Sequence, residues 1–307
     1  MSRIRDAIRR AEEETGKTAA TPQPEAGNGE SSPPPMEAAV SGLMRTAGPK
    51  FDEMAKDSEL FRAITEHCPA SEWAPDPGTI LFYDADFRTP GSEEFRTLRS
   101  RLELVRERQP LQTILITSPM PGEGKTFVAA NLAQVFVWQR EQHVLLIDGD
   151  LRASRLHSVL GVPGIPGLSD YLSGKIDEFG IIKRGPLDNF FFIPGGTPAP
   201  NASELIANGR FRRLLNRFGV AFDWIIIDSP PAIPIADARL MAALSDGVLV
   251  VVRLGQTPGD LAQQVYQEFR GKAFVGIVLN EVDPRSTYGY AYYEHKDKPL
   301  HERKGSQ

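Results

Sequence analysis

The segment TILITSPMPGEGKTFVAANLAQVFVWQ, residues 113–139, limits the folds open to this chain more than any other stretch. An apolar run suited to a buried strand leads into a Pro- and Gly-bearing turn, then a Lys–Thr pair, then an apolar helical stretch. Gly122 and Gly124 let the backbone curl until its N–H groups point inward, the arrangement that cradles phosphate oxygens. The helix that follows adds the positive end of its dipole. Lys125 puts a point charge near the β- and γ-phosphates, and the Thr126 hydroxyl can ligate Mg2+. Glu123 lies between the two glycines and belongs to the same cofactor-binding set. The strict phosphate-loop pattern opens on a glycine where this chain has Pro119, but a strand before and a helix after are the context that the motif requires.

Further apolar runs of strand length follow, separated by helical stretches. Strands are expected at 113–118 (TILITS), 143–148 (HVLLID), 190–194 (FFFIP), 223–228 (DWIIID), 247–252 (GVLVVV) and 273–280 (AFVGIVLN). Nearly continuous apolar strands alternating with helices predict an α/β fold, a mostly parallel central sheet with helices on both faces, as in P-loop NTPases. A helix is expected over SEEFRTLRSRLELVRE, residues 92–107, with Ser92 as its N-cap. Such a sheet places ligands at the carboxyl ends of its strands, so chemistry is expected in the loops after Ser118, Asp148 and Asp228.

Two of those strand ends are acidic. In LLIDGDLR, Asp148 and Asp150 are two residues apart and share a face in extended geometry. They can hold Mg2+ through water, or one can accept a proton from an incoming hydroxyl. Arg152 can neutralise charge nearby. In DWIIIDSPP, Asp228 ends an apolar strand before a turn, the place of a Walker-B carboxylate. Thr126, Asp148 and Asp228 are therefore the expected metal set, and Lys125, Asp148, Asp150, Arg152 and Asp228 the expected catalytic set. Guanine readers of this class carry an Asn/Thr-Lys-x-Asp segment. Here Asn280 is followed by EVDP without the lysine, which favours ATP. Asn280 either meets the adenine edge or closes its strand.

The flanks differ in kind. Residues 1–16 place Ile4, Ala7, Ile8 and Ala11 on one helical face, and residues 17–36 read as a linker too poor in bulky apolar groups to pack. A short helix is expected within 57–68. The expected organisation is a largely disordered arm with short helices over 1–88, a P-loop domain over 89–284, and a flexible tyrosine-rich tail over 285–307. Four of the seven tyrosines, Tyr288, Tyr290, Tyr292 and Tyr293, fall in the hexapeptide YGYAYY, which read alone is one face of an edge strand. A net charge of -5 argues against bulk nucleic-acid binding. The single cysteine, Cys68, excludes an internal disulfide framework. No apolar run reaches membrane-spanning length and the N-terminus lacks a secretory h-region, so a cytoplasmic protein is expected.

Together these motifs resemble the bacterial tyrosine kinases (BY-kinases) of capsule and exopolysaccharide loci, which share a P-loop branch with MinD and ParA. The resemblance covers roughly residues 90 to 293. SPMPGEGKT resembles the family's Walker A, LLIDGDLR its Walker A′, and DWIIIDSPPAIPIADA its Walker B, with Asp228 and a later Asp237. GLSDYLSG and IPGGTPAPNASELI resemble its connecting segments, with Ala202 where the family commonly has proline. Glu93, Arg96 and Arg99 match its E-x-x-R-x-x-R helix, which read alone is an ion-pair ladder at i, i+3 spacing. No lysine precedes Gly122 in the loop, unlike the K-G-G-x-G-K of MinD and ParA.

The resemblance implies a Mg2+- and ATP-dependent tyrosine autokinase regulating polysaccharide biosynthesis and export. It implies phosphorylation of Tyr288, Tyr290, Tyr292 and Tyr293 in trans, and a homo-oligomeric ring built through Glu93, Arg96 and Arg99. It also implies the unfused cytoplasmic form, recruited to the inner membrane face and activated there by a membrane polysaccharide chain-length (co-polymerase) protein. The alternatives are a MinD/ParA-like ATPase that phosphorylates nothing, and a nucleotide-gated scaffold.

Overall fold

Residues whose neighbours on both sides are apolar form the centre of the molecule. The computed structural model describes residues 59–282 apart from 69, 71, 82–90, 140–141, 234 and 272–273. In chain order the elements are α1 (Glu59–His67), α2 (Ser92–Arg106), β1 (Thr113–Thr117), α3 (Lys125–Val137) and β2 (Val144–Asp148). Then come α4 (Leu156–Leu160), α5 (Leu168–Leu172), α6 (Glu178–Ile181), β3 (Lys183–Arg184), β4 (Phe190–Ile193), α7 (Ala202–Ala207) and α8 (Arg210–Phe218). The last are β5 (Trp224–Asp228), α9 (Asp237–Ala242), β6 (Gly247–Arg253), α10 (Gly259–Phe269) and β7 (Phe274–Asn280).

The strands join one sheet in the order β3-β4-β2-β5-β1-β6-β7. All neighbours run parallel except β3, which lies antiparallel to β4. The six strands expected from apolar runs are all present. The two-residue β3 is too short and too charged for any periodicity to reveal it.

Every residue of β1, β2, β4 and β5 is buried, as expected of strands covered on both faces. Alternate side chains feed two separate cores. Leu115, Leu145, Phe191, Ile225 and Ile227 pack beneath α8 and α10 through Phe211, Phe218, Val265 and Phe269. Ile114, Ile116, Leu146, Phe192 and Ile226 pack beneath α3 through Val128, Leu132 and Phe136.

Residues 59–81, which the sequence reading leaves in the arm, also pack on this body. Ile64 and Cys68 enter the first core, and Trp73 and Ile80 the second. Ala70 forms an isolated bridge to Arg184 of β3. Cys68 is a packed thiol, and burial pushes its pKa up. The expected cap of α2 is corrected. Gly91, at φ 96°, precedes the helix, Ser92 is its first residue, and no side chain caps it. The left-handed turn, rather than a hydroxyl, sets the start of the helix. Among the described residues no helix is long and apolar enough to cross a membrane. The expected helix over 1–16 and the tyrosines of the C-terminal hexapeptide lie outside the described residues.

Candidate active site at the carboxyl ends of the strands

The phosphate loop joins the carboxyl end of β1 to α3. Gly122 and Gly124 sit at φ 83° and 91°, in the left-handed region that side chains other than glycine rarely adopt. A Cβ on Gly122 would meet nothing within 4 Å, so the loop is open on that side. A Cβ on Gly124 would lie 2.0 Å from the Asn280 amide nitrogen. That nitrogen donates to the Glu123 carbonyl at 2.9 Å. Asn280, expected at the adenine edge or as a strand end, thus fastens the end of β7 to the loop.

Glu123 is also a fastener. It is 4% exposed, and its carboxylate accepts from the Met120 N–H at 2.7 Å and from the Thr257 hydroxyl. Thr257 in turn accepts from the Arg253 N–H at 2.8 Å. The loop is therefore held from below by the β6–α10 connection and from the side by β7. Its free backbone N–H groups and the side chain of Lys125 are left to face a ligand.

Asp148 and Asp228 end adjacent strands in direct register. Their environments differ. Asp148 is wholly buried and accepts from the Asp150 N–H, the Ser154 hydroxyl, and the Arg155 and Leu156 N–H groups, at 2.7 to 3.1 Å. Burial pushes its pKa up to about 6, with the bonds from Ser154 and Leu156 opposing and the charge of Asp150 adding. Asp228 is 2% exposed. Its Oδ2 accepts from the Thr126 hydroxyl at 2.7 Å, while its Oδ1 is buried without a hydrogen-bond partner. Burial pushes its pKa up to about 7, with Lys125 opposing and Asp148 adding.

A buried carboxylate oxygen without a donor is costly unless a cation or a proton satisfies it. Oδ1 of Asp228 beside the Thr126 hydroxyl fits a hard cation that draws its other ligands from phosphate and water. Among the described residues no group of three or more His, Cys, Asp or Glu side chains could hold a metal by itself. Asp148 has its donors already and organises the turn that leads into α4. Asp150 is half-buried, and its Oδ1 accepts from the Ala153 N–H at 3.0 Å.

Arg152 is engaged elsewhere. Its Nε donates to Asp237 Oδ2 at 2.8 Å, and its other nitrogens reach the Pro200 carbonyl and the Ser203 hydroxyl. Asp237 is buried at the start of α9 and also accepts from Ser203 of α7. The bond to Asp237 is the main reason that the Arg152 pKa is raised. On α2, Glu93 and Arg96 form an ion pair, and Arg99 donates to the Val135 carbonyl in the last turn of α3 at 3.0 Å. Ser154, Ser203 and Thr257 complete the site's scaffolding and carry no sequence signal beyond their proximity to the motifs.

A family model described as the CobQ/CobB/MinD/ParA nucleotide binding domain matches residues 114–300. The chain is 34% identical over 261 residues to the putative tyrosine-protein kinase AmsA of Erwinia amylovora, a match covering 79% of this chain and 36% of AmsA. It is 30% identical over 208 residues to the tyrosine-protein kinase YwqD of Bacillus subtilis, covering 67% of this chain and 87% of YwqD. The kinase domain of the Escherichia coli tyrosine kinase ETK superposes with a TM-score of 0.58 at 32% identity, covering 64% of this chain and 80% of that one. The chain spans little more than a third of AmsA and most of YwqD.

Proposed function

Because the chain belongs to the CobQ/CobB/MinD/ParA nucleotide-binding family, and within it to the bacterial tyrosine-protein kinases, we propose that it is a Mg2+- and ATP-dependent kinase acting on its own C-terminal tyrosines. The observation that carries this reading is the inequality of the two in-register acids. Asp148 is saturated with donors, whereas Asp228 keeps a buried oxygen without one beside Thr126.

In this reading the loop N–H groups and Lys125 hold the phosphates of ATP. Thr126 and Asp228 hold Mg2+, which when bound neutralises phosphate charge. Asp150, the acid with exposed surface, orients the tyrosine hydroxyl and accepts its proton. The phenol oxygen bonds to the γ-phosphorus as the bond to the bridging oxygen breaks, and ADP leaves. Transfer of this kind depends on positioning and charge neutralisation more than on covalent chemistry from the protein. Arg152 acts through Asp237 by fixing the turn after β2 between α7 and α9.

The described chain ends at Val282, two residues beyond Asn280, which is itself fastened to the phosphate loop. Tyr288, the first of the tyrosines, follows eight positions after Asn280, whose strand end is fastened to the phosphate loop. The same reading extends to control of capsule or exopolysaccharide biosynthesis and export, a ring formed through α2, and activation by a membrane chain-length protein. Support for those parts is the motif resemblance.

Intact mass after incubation with Mg·ATP, with and without a membrane fraction from the source, tests the reading. Multiple phosphates on the chain, absent from Lys125→Met and from a chain ending at Thr287, are expected. ATP hydrolysis without any phosphotyrosine moves the reading to a MinD/ParA-like ATPase.

A further inference from the structure

An open groove of about 650 Å3 lies between the α5–α6 turn and α8, and none of the strand-end acids lines it. Its origin is visible in α8, RFRRLLNRF. Phe211, Leu214, Leu215 and Phe218 turn into the core, which leaves Arg210, Arg213 and Arg217 in one row at i, i+3, i+7 spacing. Lys175 faces them from the α5–α6 turn, and Tyr171 and Ile176 supply apolar wall.

The positive charge of this row is only partly answered. Arg217 pairs with Glu178 at 2.8 Å. Asp177 turns its carboxylate to cap α6 through the Gly180 N–H. Lys175 is 63% exposed and comes no closer than 3.8 Å to Asp170. Arg210 lies 4.6 Å over the Tyr171 ring and donates to the Tyr171 carbonyl, contacts that leave its charge unneutralised. Arg213 is exposed and makes no ion pair among the described residues. Guanidinium groups beside an aromatic face and an aliphatic wall suit a doubly charged phosphate carried on a phenyl ring.

We propose that this groove binds phosphotyrosine, and that its occupant is the phosphorylated tyrosine segment of a second copy of the chain. The choice of occupant rests on the kinase reading above; the groove does not. Charge argues for a modified segment. Residues 283–307 hold Arg285, Lys296, Lys298, Arg303 and Lys304 against Asp283, Glu294, Asp297 and Glu302, so the bare segment has no negative excess to offer a cationic groove. Each phosphate adds about -1.5 to -2.

Geometry argues for a second copy. The groove adjoins α6, which leads into β3 at one edge of the sheet, whereas the tyrosines follow β7 at the other. Six strand spacings amount to about 29 Å in a straight line through the body. A fully extended segment from 283 reaches about 20 Å at Tyr288 and about 36 Å at Tyr293, with the body still to be rounded. A neighbour's groove has no such detour.

The test uses the dephosphorylated full chain and synthetic peptides of residues 286–296, unmodified or carrying phosphate at Tyr290 and Tyr292. The phosphates are introduced chemically, so the result does not depend on the chain being a kinase. The phosphopeptide is expected to bind at least about tenfold more tightly than the bare peptide. Arg213→Gln and Lys175→Gln are expected to remove most of that difference, Arg212→Gln on the same helix to keep it, and nucleotide binding to be unchanged in all three. Equal binding of both peptides, or equal loss with Arg212→Gln and Arg213→Gln, overturns the site. The second-copy assignment is tested by mixing a chain ending at Thr287 with full chain phosphorylated on its tail by an added tyrosine kinase. A mixed complex lost with Arg213→Gln on the truncated chain is expected. Phosphopeptide binding without that complex overturns the second copy as occupant.

Discussion

The hydroxyl of Thr126 meets the carboxylate of Asp228 at 2.7 Å, although the two lie 102 positions apart in the chain. The first sits in the opening turn of α3 and the second ends β5, so their meeting joins the phosphate loop to the acidic edge of the sheet. Lys125 is the counter-charge, burial is the opposing force, and a bound cation would resolve the conflict between them.

That conflict gives the site a pH dependence when no cation is bound. Asp148 and Asp228 hold their protons to about 6 and about 7 in the folded chain, against an ordinary value of 3.8. A folded-state pKa above the unfolded one means that the folded chain binds the extra proton. The stabilisation is fully present below about pH 4 and is lost as pH rises through about 7. Asp228→Asn removes the penalty of ionising that carboxyl. Denaturant unfolding without nucleotide is expected to show the variant gaining stability over the parent at pH 8 relative to pH 5, by a few kcal/mol at the order of magnitude. Mg·ATP is expected to stabilise the parent and not the variant.

The glycine at 124 is required by two independent constraints, its positive φ and the Asn280 amide in the space of its Cβ. Gly124→Ala is expected to weaken nucleotide binding at least about tenfold, since strain of roughly 1–3 kcal/mol falls on the loop itself. Adding Asn280→Ala relieves the collision but not the backbone strain. The double variant is therefore expected to recover part of the affinity, as measured by nucleotide titration.

Strand positions were legible because strands buried on both faces need unbroken apolar runs, and each run in this chain is one strand. The phosphate loop and the acids at 148 and 228 were legible because strand ends are where such a sheet presents its loops. Their inequality was not. It depends on Ser154 and on the N–H groups of Arg155 and Leu156, whose approach to Asp148 is set by the turn into α4. Nor does sequence reveal which way an arginine points. Arg152 and Arg99 sit in motifs that suggest ligand and partner contacts, yet their donors go to Asp237 and to the Val135 carbonyl, 85 and 36 positions away. The short helix expected within 57–68 is α1, but the packing of residues 59–81 on the body escaped because Ile64, Trp73 and Ile80 are too widely spaced to form a pattern.

Glu123 can be tested as a fastener. Its two oxygens accept from the Met120 N–H and the Thr257 hydroxyl in a nearly closed environment. Glu123→Gln keeps the shape but can turn only one acceptor toward those two donors. A loss of about 1–3 kcal/mol in unfolding free energy is expected, the cost of leaving one buried group unsatisfied. Thr257→Val, which removes the partner hydroxyl, is expected to cost a similar amount. The double variant is expected to lose less than the sum, because both changes break the same contact.

Arg152→Lys separates a phosphate ligand from a brace. A lysine keeps the positive charge but cannot form the paired contact with Asp237 while also reaching Pro200 and Ser203. If Arg152 served mainly as a ligand for the nucleotide phosphates, the lysine would preserve stability and raise the KM for ATP strongly. The structure predicts the reverse order of effects. Loss of the brace frees the turn that carries Asp150, so unfolding free energy is expected to fall by about 1–3 kcal/mol, with Asp237 left buried and under-paired. The KM for ATP is expected to change less than about threefold, because no nucleotide contact is assigned to the side chain. The turnover is expected to fall further, since Asp150, the acid proposed to receive the tyrosine proton, is no longer fixed. An unchanged unfolding curve with a large rise in KM would return Arg152 to the phosphates and leave Asp237 as a structural acid with no part in the chemistry.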